Sequence, residues 1–366
     1  MDPRRLRRAA RRGRRPLGVT LPRTAPAASG VDVVRRPRRL RALWLAVALG
    51  TLVALCVASV SIGSRQVALD DILAALGGGT DGFDQAAVAT RIPRTLLAVL
   101  AGAALGLAGA VMQGVTRNPL ADPGILGVNM GATLAVVCGL AFVGVSSATA
   151  TIWIAIAGAG AAAVFVYVVG SLGRGGATPL KLALAGAATT AALASFISAV
   201  VLPRNDIAGN VRSWQIGGVG GATSDSIAVV LPFLIAGTAI CLLSARSLNS
   251  LALGDELAAG LGERVAVARA AAALGAVVLC GASTALTGPI GFVGLVVPHL
   301  FRLLVGIDHR WLLPFSALGG AVLLVAADVI GRVVARPSEV DVGIITALIG
   351  APVFIAIVRR QKVREL

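Results

Sequence analysis

Residues 91–94 read R-I-P-R, and after a Gly/Ala-rich apolar run residues 113–132 read Q-G-V-T-R-N-P-L-A-D-P-G-I-L-G-V-N-M-G-A. Two prolines (Pro119, Pro123) stand with Asn118, Asp122 and Gly124 between two strongly hydrophobic segments. Proline lacks the N–H and its ring collides with the preceding turn, so neither flanking helix runs straight through this block. Broken backbone at the depth of a bilayer persists where protein or water covers it, as along a transport path or at a docking surface. Gln113, Asn118, Pro119, Asp122, Pro123 and Asn129 are therefore candidates for a path or its gate.

The composition around that block is membrane-like. Hydrophobic residues make up 57% of the chain and charged residues 14%, with a mean hydropathy of +0.87. The 45 glycines suit a protein whose helices meet in lipid, where no hydrophobic push exists and small residues permit close backbone contact. Gly102 with Gly106, and Gly158 with Ala162, have the small-xxx-small spacing of such contacts.

Of the net charge of +16, much is local: fourteen arginines lie in residues 1–41. That segment has no apolar periodicity and reads as a disordered cytoplasmic tail, held near anionic lipid and fixing orientation rather than binding nucleic acid. Residues 42–366 read as one transmembrane domain. Cys56, Cys138, Cys241 and Cys280 each lie within an apolar segment without CxxC spacing, and read as small hydrophobic residues.

Stretches long enough to span number about ten. They fall near 43–62, 93–113, 125–144, 149–171, 181–202, 227–245, 265–286, 289–305, 312–331 and 342–358. With the tail inside, ten spans return Arg359, Arg360, Lys362 and Arg364 to the cytoplasm, as the positive-inside rule prefers. Arg117, Arg174, Lys181, Arg246, Arg264, Arg269, Arg302 and Arg310 then fall on the inner side. Arg91, Arg94, Arg204, Arg212, Arg332 and Arg336 fall outside and need a reason: interfacial snorkelling, or a cationic ring for carboxylates of an outer partner.

The longest inner connection, about 246–264, contains Gly254-Asp255-Glu256-Leu257 and Leu261-Gly262. The acids suit the positive end of a short helix, and Gly262 suits its C-terminal cap. Leu253, Leu257 and Leu261 share one face at four-residue spacing. Such a helix either folds back on its own bundle or lies in a groove of a cytoplasmic partner. Asp328, inside the ninth span, stands four residues before Arg332 and is read as its local ion-pair partner. His299, beside Pro298, reads as a donor to a carbonyl freed by that proline.

No nucleotide-binding G-x-x-x-x-G-K-[ST] sequence, metalloprotease motif or nucleophile elbow occurs, so ATP binding and catalysis are not expected of this chain. An ion-coupled secondary carrier would need buried ionisable groups in the spans, and only Asp328 qualifies.

With these motifs assembled, the chain resembles the permease subunits of ABC importers for iron–siderophore complexes and vitamin B12. The resemblance runs from about Leu43 to Arg360 and rests on Arg91-Ile-Pro-Arg94, Arg117-Asn-Pro-Leu-Ala-Asp-Pro-Gly124, Leu126-Gly-Val-Asn-Met-Gly-Ala132, Trp214-Gln-Ile-Gly217, Leu253-Gly-Asp255, Pro298-His299 and Gly306-Ile-Asp-His-Arg310. Leu248-Asn-Ser-Leu251 and Arg310-Trp311 look most like the catecholate (ferric-enterobactin) branch; vitamin B12 or haem are alternative cargoes.

The resemblance implies an all-α, ten-helix membrane subunit of type II importer architecture. It would dimerise with itself or a related permease in the cytoplasmic membrane, with both termini inside. It implies docking of an extracytoplasmic binding protein by Arg91, Arg94 and Arg332. It further implies that Leu253, Gly254, Asp255, Glu256, Leu257, Leu261 and Gly262 seat on an ATPase subunit that binds ATP and Mg²⁺, and that a ferric siderophore is carried. One departure is local: where the family has a proline after Glu-Leu, this chain reads Glu339-Val-Asp-Val-Gly343.

Overall fold

A computed structural model describes residues 38–63, 67, 70, 71, 74, 77, 79, 82–145, 147–173 and 178–362. The basic tail up to residue 37, Arg174 and Arg364 lie outside these. The described residues are helical throughout their ordered elements: α1 (Arg38–Ser61), α2 (Phe83–Thr116), α3 (Val128–Cys138), α4 (Ala148–Ser171), α5 (Pro179–Val201), α6 (Asn205–Ile216), α7 (Ser224–Leu243), α8 (Ala245–Leu251), α9 (Asp255–Gly260), α10 (Val265–Thr287), α11 (Val293–Val305), α12 (His309–Val334) and α13 (Val342–Lys362). Seven of them are long and apolar enough to cross a membrane, namely α1, α2, α4, α5, α7, α10 and α12. Three shorter apolar helices, α3 with its π-helical extension to Val143, α11 and α13, complete the ten expected hydrophobic segments. The protein is a multi-pass membrane protein.

The first helix starts at Arg38, so residues 38–41 belong to α1 rather than to the tail. The second begins at Phe83, ten residues before the expected span, with Asp84 in its first turn facing the positive helix end. Pro93 lies inside it, as Pro232, Pro298, Pro314 and Pro352 lie inside later helices. In a membrane bundle neighbouring groups re-satisfy the backbone a proline frees. The expected break does occur after α2. Arg117 takes the left-handed conformation (φ 51°) and closes the helix, and a 3-10 turn follows at Pro123–Leu126 before Gly127 (φ 72°) opens α3. The connection 203–226 carries an amphipathic helix, α6, that buries Ile207, Ala208 and Val211.

Most of the apolar stretch of α2 is buried, whereas α1 and α5 expose most of theirs, as lipid-facing or partner-facing helices do. The enclosure of α2 depends on glycine. A side chain on Gly102 would strike the backbone of Gly320, one on Gly106 the carbonyl of Ser316, and one on Gly109 the backbone of Gly294. Helices α12 and α11 therefore touch α2 backbone to backbone. The other small-residue pair also packs: Gly158 and Ala162 of α4 meet Gly131 of α3. Dispersion between closely approaching backbones replaces the hydrophobic drive that lipid removes. Replacing Gly102 by valine should lower stability in detergent by about 1–3 kcal/mol or more through overpacking. Gly160→Ala, which meets no atom within 4 Å, should leave the thermal midpoint unchanged; the pair is read by thermal unfolding.

Candidate functional site: the two ends of one buried helix

At its N-terminal part α2 enters a network of arginines. The last carbonyls of α1 have no partners within their own helix, and guanidinium groups supply them. Arg332 donates from Nη1 to the carbonyls of Ser59 (2.7 Å) and Ile62 (3.1 Å). Arg91 donates to those of Val60 (3.1 Å) and Ser61 (3.2 Å), and Arg336 to that of Gly63 (2.7 Å). Arg332 Nη2 also reaches Ser59 Oγ at 2.5 Å. Thr95 gives its hydroxyl proton to the carbonyl of Arg91 (2.8 Å), so Ser59 must be the donor in the 2.6 Å contact between the two hydroxyls.

Asp328 joins the set. Arg94 donates to its Oδ1 from Nε (2.9 Å) and Nη2 (2.8 Å), and from Nη1 to Glu339 Oε2 (2.6 Å). Arg332 Nη2 approaches Asp328 Oδ2 to 2.8 Å, a charge pair lying off the hydrogen-bonding direction. The expected Asp328–Arg332 pair is therefore present, and Arg94, 234 positions away, completes it. Arg91 is 7% exposed and Arg332 1%, so neither forms an open cationic ring. Both act within the chain as caps on α1. Arg94 and Glu339 are the partly exposed members.

In the last turn of α2, Gln113 is buried and uses both ends of its amide. Nε2 donates to the carbonyls of Gly294 (3.1 Å) and Leu295 (3.3 Å), at the start of α11, while Oε1 accepts from Arg302 (2.7 Å). Asn129 Oδ1 accepts from Thr284 Oγ1 (3.0 Å), tying α3 to α10. Asn118 Oδ1 takes the N–H of Leu120 (2.9 Å) within the Pro119 turn. Asp122 Oδ1 takes the N–H of Gly124 (2.8 Å) and caps the 3-10 turn that Pro123 starts. Burial pushes the Asp122 carboxyl above its usual range, partly offset by that N–H. The six candidate path residues are thus joints between elements, each satisfied within the chain or shaping a turn. His299 departs from expectation: its Nδ1 is buried without a hydrogen-bond partner among the described residues. Pro298 leaves the carbonyl of Gly294, four residues earlier, without its helical donor, and Gln113 Nε2 fills that place at 3.1 Å, so the histidine is not called on there.

The C-terminal end of α2 meets the connection 246–264. Arg117 and Arg269 both pair with Asp255, the latter at 3.0 Å, so one carboxylate binds α9 to α2 and α10. Gly254 (φ 109°) makes the entry to α9, with Glu256 beside Asp255 in its first turn. At the other end the N–H of Gly262 (φ 85°) reaches Ala259 O at 2.9 Å and that of Glu263 reaches Ala258 O at 3.0 Å, a Schellman closure. A second short helix, α8, was not foreseen. Its Asn249 donates to Asp308 Oδ1 (2.7 Å) and accepts from His309 N (2.9 Å), fixing it to the start of α12. Burial alone would raise the Asp308 carboxyl, but the Asn249 amide, the Arg310 N–H and the charges of Arg310 and Arg41 outweigh it and hold the group below the usual range. Leu253, Leu257 and Leu261 are 57%, 62% and 67% exposed. Helix α9 is thus clamped by charge through Asp255 and bare on its leucine face.

Residues 51–360 match the FecCD transport family. This chain belongs to that family. It is 46% identical over 305 residues to the ferric enterobactin transport system permease protein of Escherichia coli (strain K12), spanning 83% of this chain and 91% of that one. It is 41% identical over 305 residues to the Fe(3+)-citrate import system permease protein of Bacillus subtilis (strain 168), spanning 83% and 90%. A solved inward-facing structure of a metal-chelate type ABC transporter superposes with a TM-score of 0.76 at 27% identity, over 87% of this chain and 99% of that one. The family match runs from within α1 to near the end of α13.

Asp328→Asn should cost this FecCD-family chain about 3–5 kcal/mol, because it leaves the buried Arg332 uncompensated. Ser59→Ala, which removes one partner of the same guanidinium, should cost about 1–3 kcal/mol. Thermal unfolding in one detergent ranks the two.

Proposed function

We propose that this FecCD-family chain is one membrane subunit of an ATP-driven ABC importer whose cargo is a ferric siderophore. The relatives named for ferric enterobactin and ferric citrate support that cargo class. In this reading a second permease, either a copy or a related chain, completes the path. Two ATPase subunits hold ATP and Mg²⁺ on the cytoplasmic side, and an extracytoplasmic binding protein delivers the chelate. The protein lies in the cytoplasmic membrane with both termini inside, where its basic tail and C-terminal arginines accord with the positive-inside rule.

The observation that carries the reading is the bare leucine row of α9 on a base fixed by Asp255 to α2 and α10. Force applied to α9 reaches the bundle through that carboxylate. An ion-coupled carrier is disfavoured because Asp328 is held between Arg94 and Arg332 rather than left to load a proton or cation. Leu257→Glu should weaken capture of the ATPase partner by about tenfold or more, as loss of an interface anchor does, and abolish ATP-dependent uptake of ferric catecholates. Co-purification and proteoliposome uptake read both; unchanged capture would refute the seating on α9.

For the outer end, Glu339 occupies Arg94 Nη1 as a partner carboxylate would. Docking on this reading exchanges one carboxylate for another. Glu339→Gln should therefore tighten binding-protein affinity, by at most about fivefold given the modest worth of an exposed pair, while Arg94→Glu should eliminate it. Affinity measured on nanodisc-embedded protein decides this.

A further inference from the structure

Five arginines among the described residues are answered by acids. Arg94, Arg117, Arg204, Arg269 and Arg332 each have a carboxylate partner. Arg246 and Arg310 have none among the described residues, and both are exposed. They line a single cavity of about 490 Å³ where α7, α8 and α12 meet, together with Leu242, Leu243 and Pro314. His309 also borders it, but its ring is engaged elsewhere, with Nδ1 at 2.9 Å from Asn249 Oδ1. The nearby carboxylate, Asp308, is occupied by the Asn249 amide and the Arg310 N–H (3.0 Å) as the cap of α12.

The cavity thus has a cationic floor and an apolar wall. Leu242 and Leu243 are exposed at the end of α7. On α12, Trp311 follows Arg310 and carries the Arg41 guanidinium 5.4 Å from its ring centre. Tryptophan with a cation beside it is typical of the level where headgroups meet acyl chains. Arg246 and Arg310 line the cavity, and the charges of Arg310 and Arg41 act on Asp308 beside it.

We propose that this cavity binds an anionic phospholipid, its phosphate between Arg246 and Arg310 and an acyl chain along Leu242 and Leu243. A zwitterionic lipid is disfavoured because its own ammonium would enter a site whose two arginines have no ion-pair contact among the described residues and face only the capping carboxylate Asp308 nearby. Basic pockets between membrane helices bind such headgroups by this combination of charge and apolar contact. The site adjoins α8, which Asn249 ties to α12, so the lipid would stiffen the joint that carries the α8–α9 segment. The proposal needs only a bilayer around the chain and stands apart from the cargo reading.

The test is lipid binding by the full chain in detergent, followed by native mass spectrometry and thermal shift. The probes are phosphatidylglycerol, phosphatidylcholine and inorganic phosphate. Phosphatidylglycerol should bind and raise the thermal midpoint, phosphatidylcholine much less, and phosphate should not displace the lipid. Each of Arg246→Gln and Arg310→Gln should weaken phosphatidylglycerol about fivefold, corresponding to about 1 kcal/mol per arginine. The Arg246→Lys and Arg310→Lys variants keep the charge, should retain most of the binding, and carry the comparison if a glutamine variant fails to fold. Equal binding of the two lipids, displacement by phosphate, or glutamine variants with wild-type lipid affinity would overturn the proposal. So would loss of ATPase co-purification in those variants with lipid binding unchanged, since the arginines would then serve a protein surface.

Discussion

Helix α2 is enclosed by its own chain, and the glycine contacts of α12 and α11 make that enclosure possible. Lipid offers no hydrophobic reward for burying a helix, so burial here rests on backbones close enough for dispersion and for unbroken packing. Gly102 against Gly320 and Gly109 against Gly294 supply that closeness. The rest of the architecture hangs from the result. One end of α2 carries Arg91, Arg94 and Thr95 into the network with Asp328 and Ser59. The other end carries Gln113 and Arg117 to α11 and α9. A buried helix with charged joints at both ends is a strut between two surfaces.

The charges at the N-terminal end of α2 illustrate how burial changes a residue's role. A guanidinium at a helix mouth can snorkel, receive a partner's acid, or satisfy its own chain. Arg332 takes the third course completely: its donors go to the carbonyls of Ser59 and Ile62, to Ser59 Oγ and to Asp328. Arg91 spends Nη1 on the end of α1. Arg94 is left as the member that faces outward, through Glu339. The cationic character of this end is therefore concentrated at one side chain rather than shared by three.

Much of the fold was legible because the signals were local. Hydrophobic run length located the ten apolar helices, Pro119 and Pro123 located the break, and Gly262 located the end of α9. The helix α6 was missed because only Ile207, Ala208 and Val211 mark its buried face, in a segment with little apolar content. The early start of α2 was missed because Pro93 looked like an entry residue, and nothing local says that a bundle tolerates it ten positions in. The candidate site was legible in its residues and opaque in their pairing. No spacing rule connects Arg94 with Asp328, Gln113 with Arg302, or Arg117 with Asp255, since these contacts exist only once distant helices pack.

In the proposed importer, α2 and α12 would move as one body when an ATPase subunit pushes on α9. Packed backbones have few intermediate arrangements, so such a seam should either hold or open fully. Spin labels on the exposed positions Leu96 of α2 and Ile330 of α12 would report their separation directly by pulsed dipolar spectroscopy, in the nucleotide-free complex and with nucleotide trapped. An unchanged distance distribution between the two states is the predicted result. A shifted or second distance would mean that the glycine seam itself opens, and would contradict the strut.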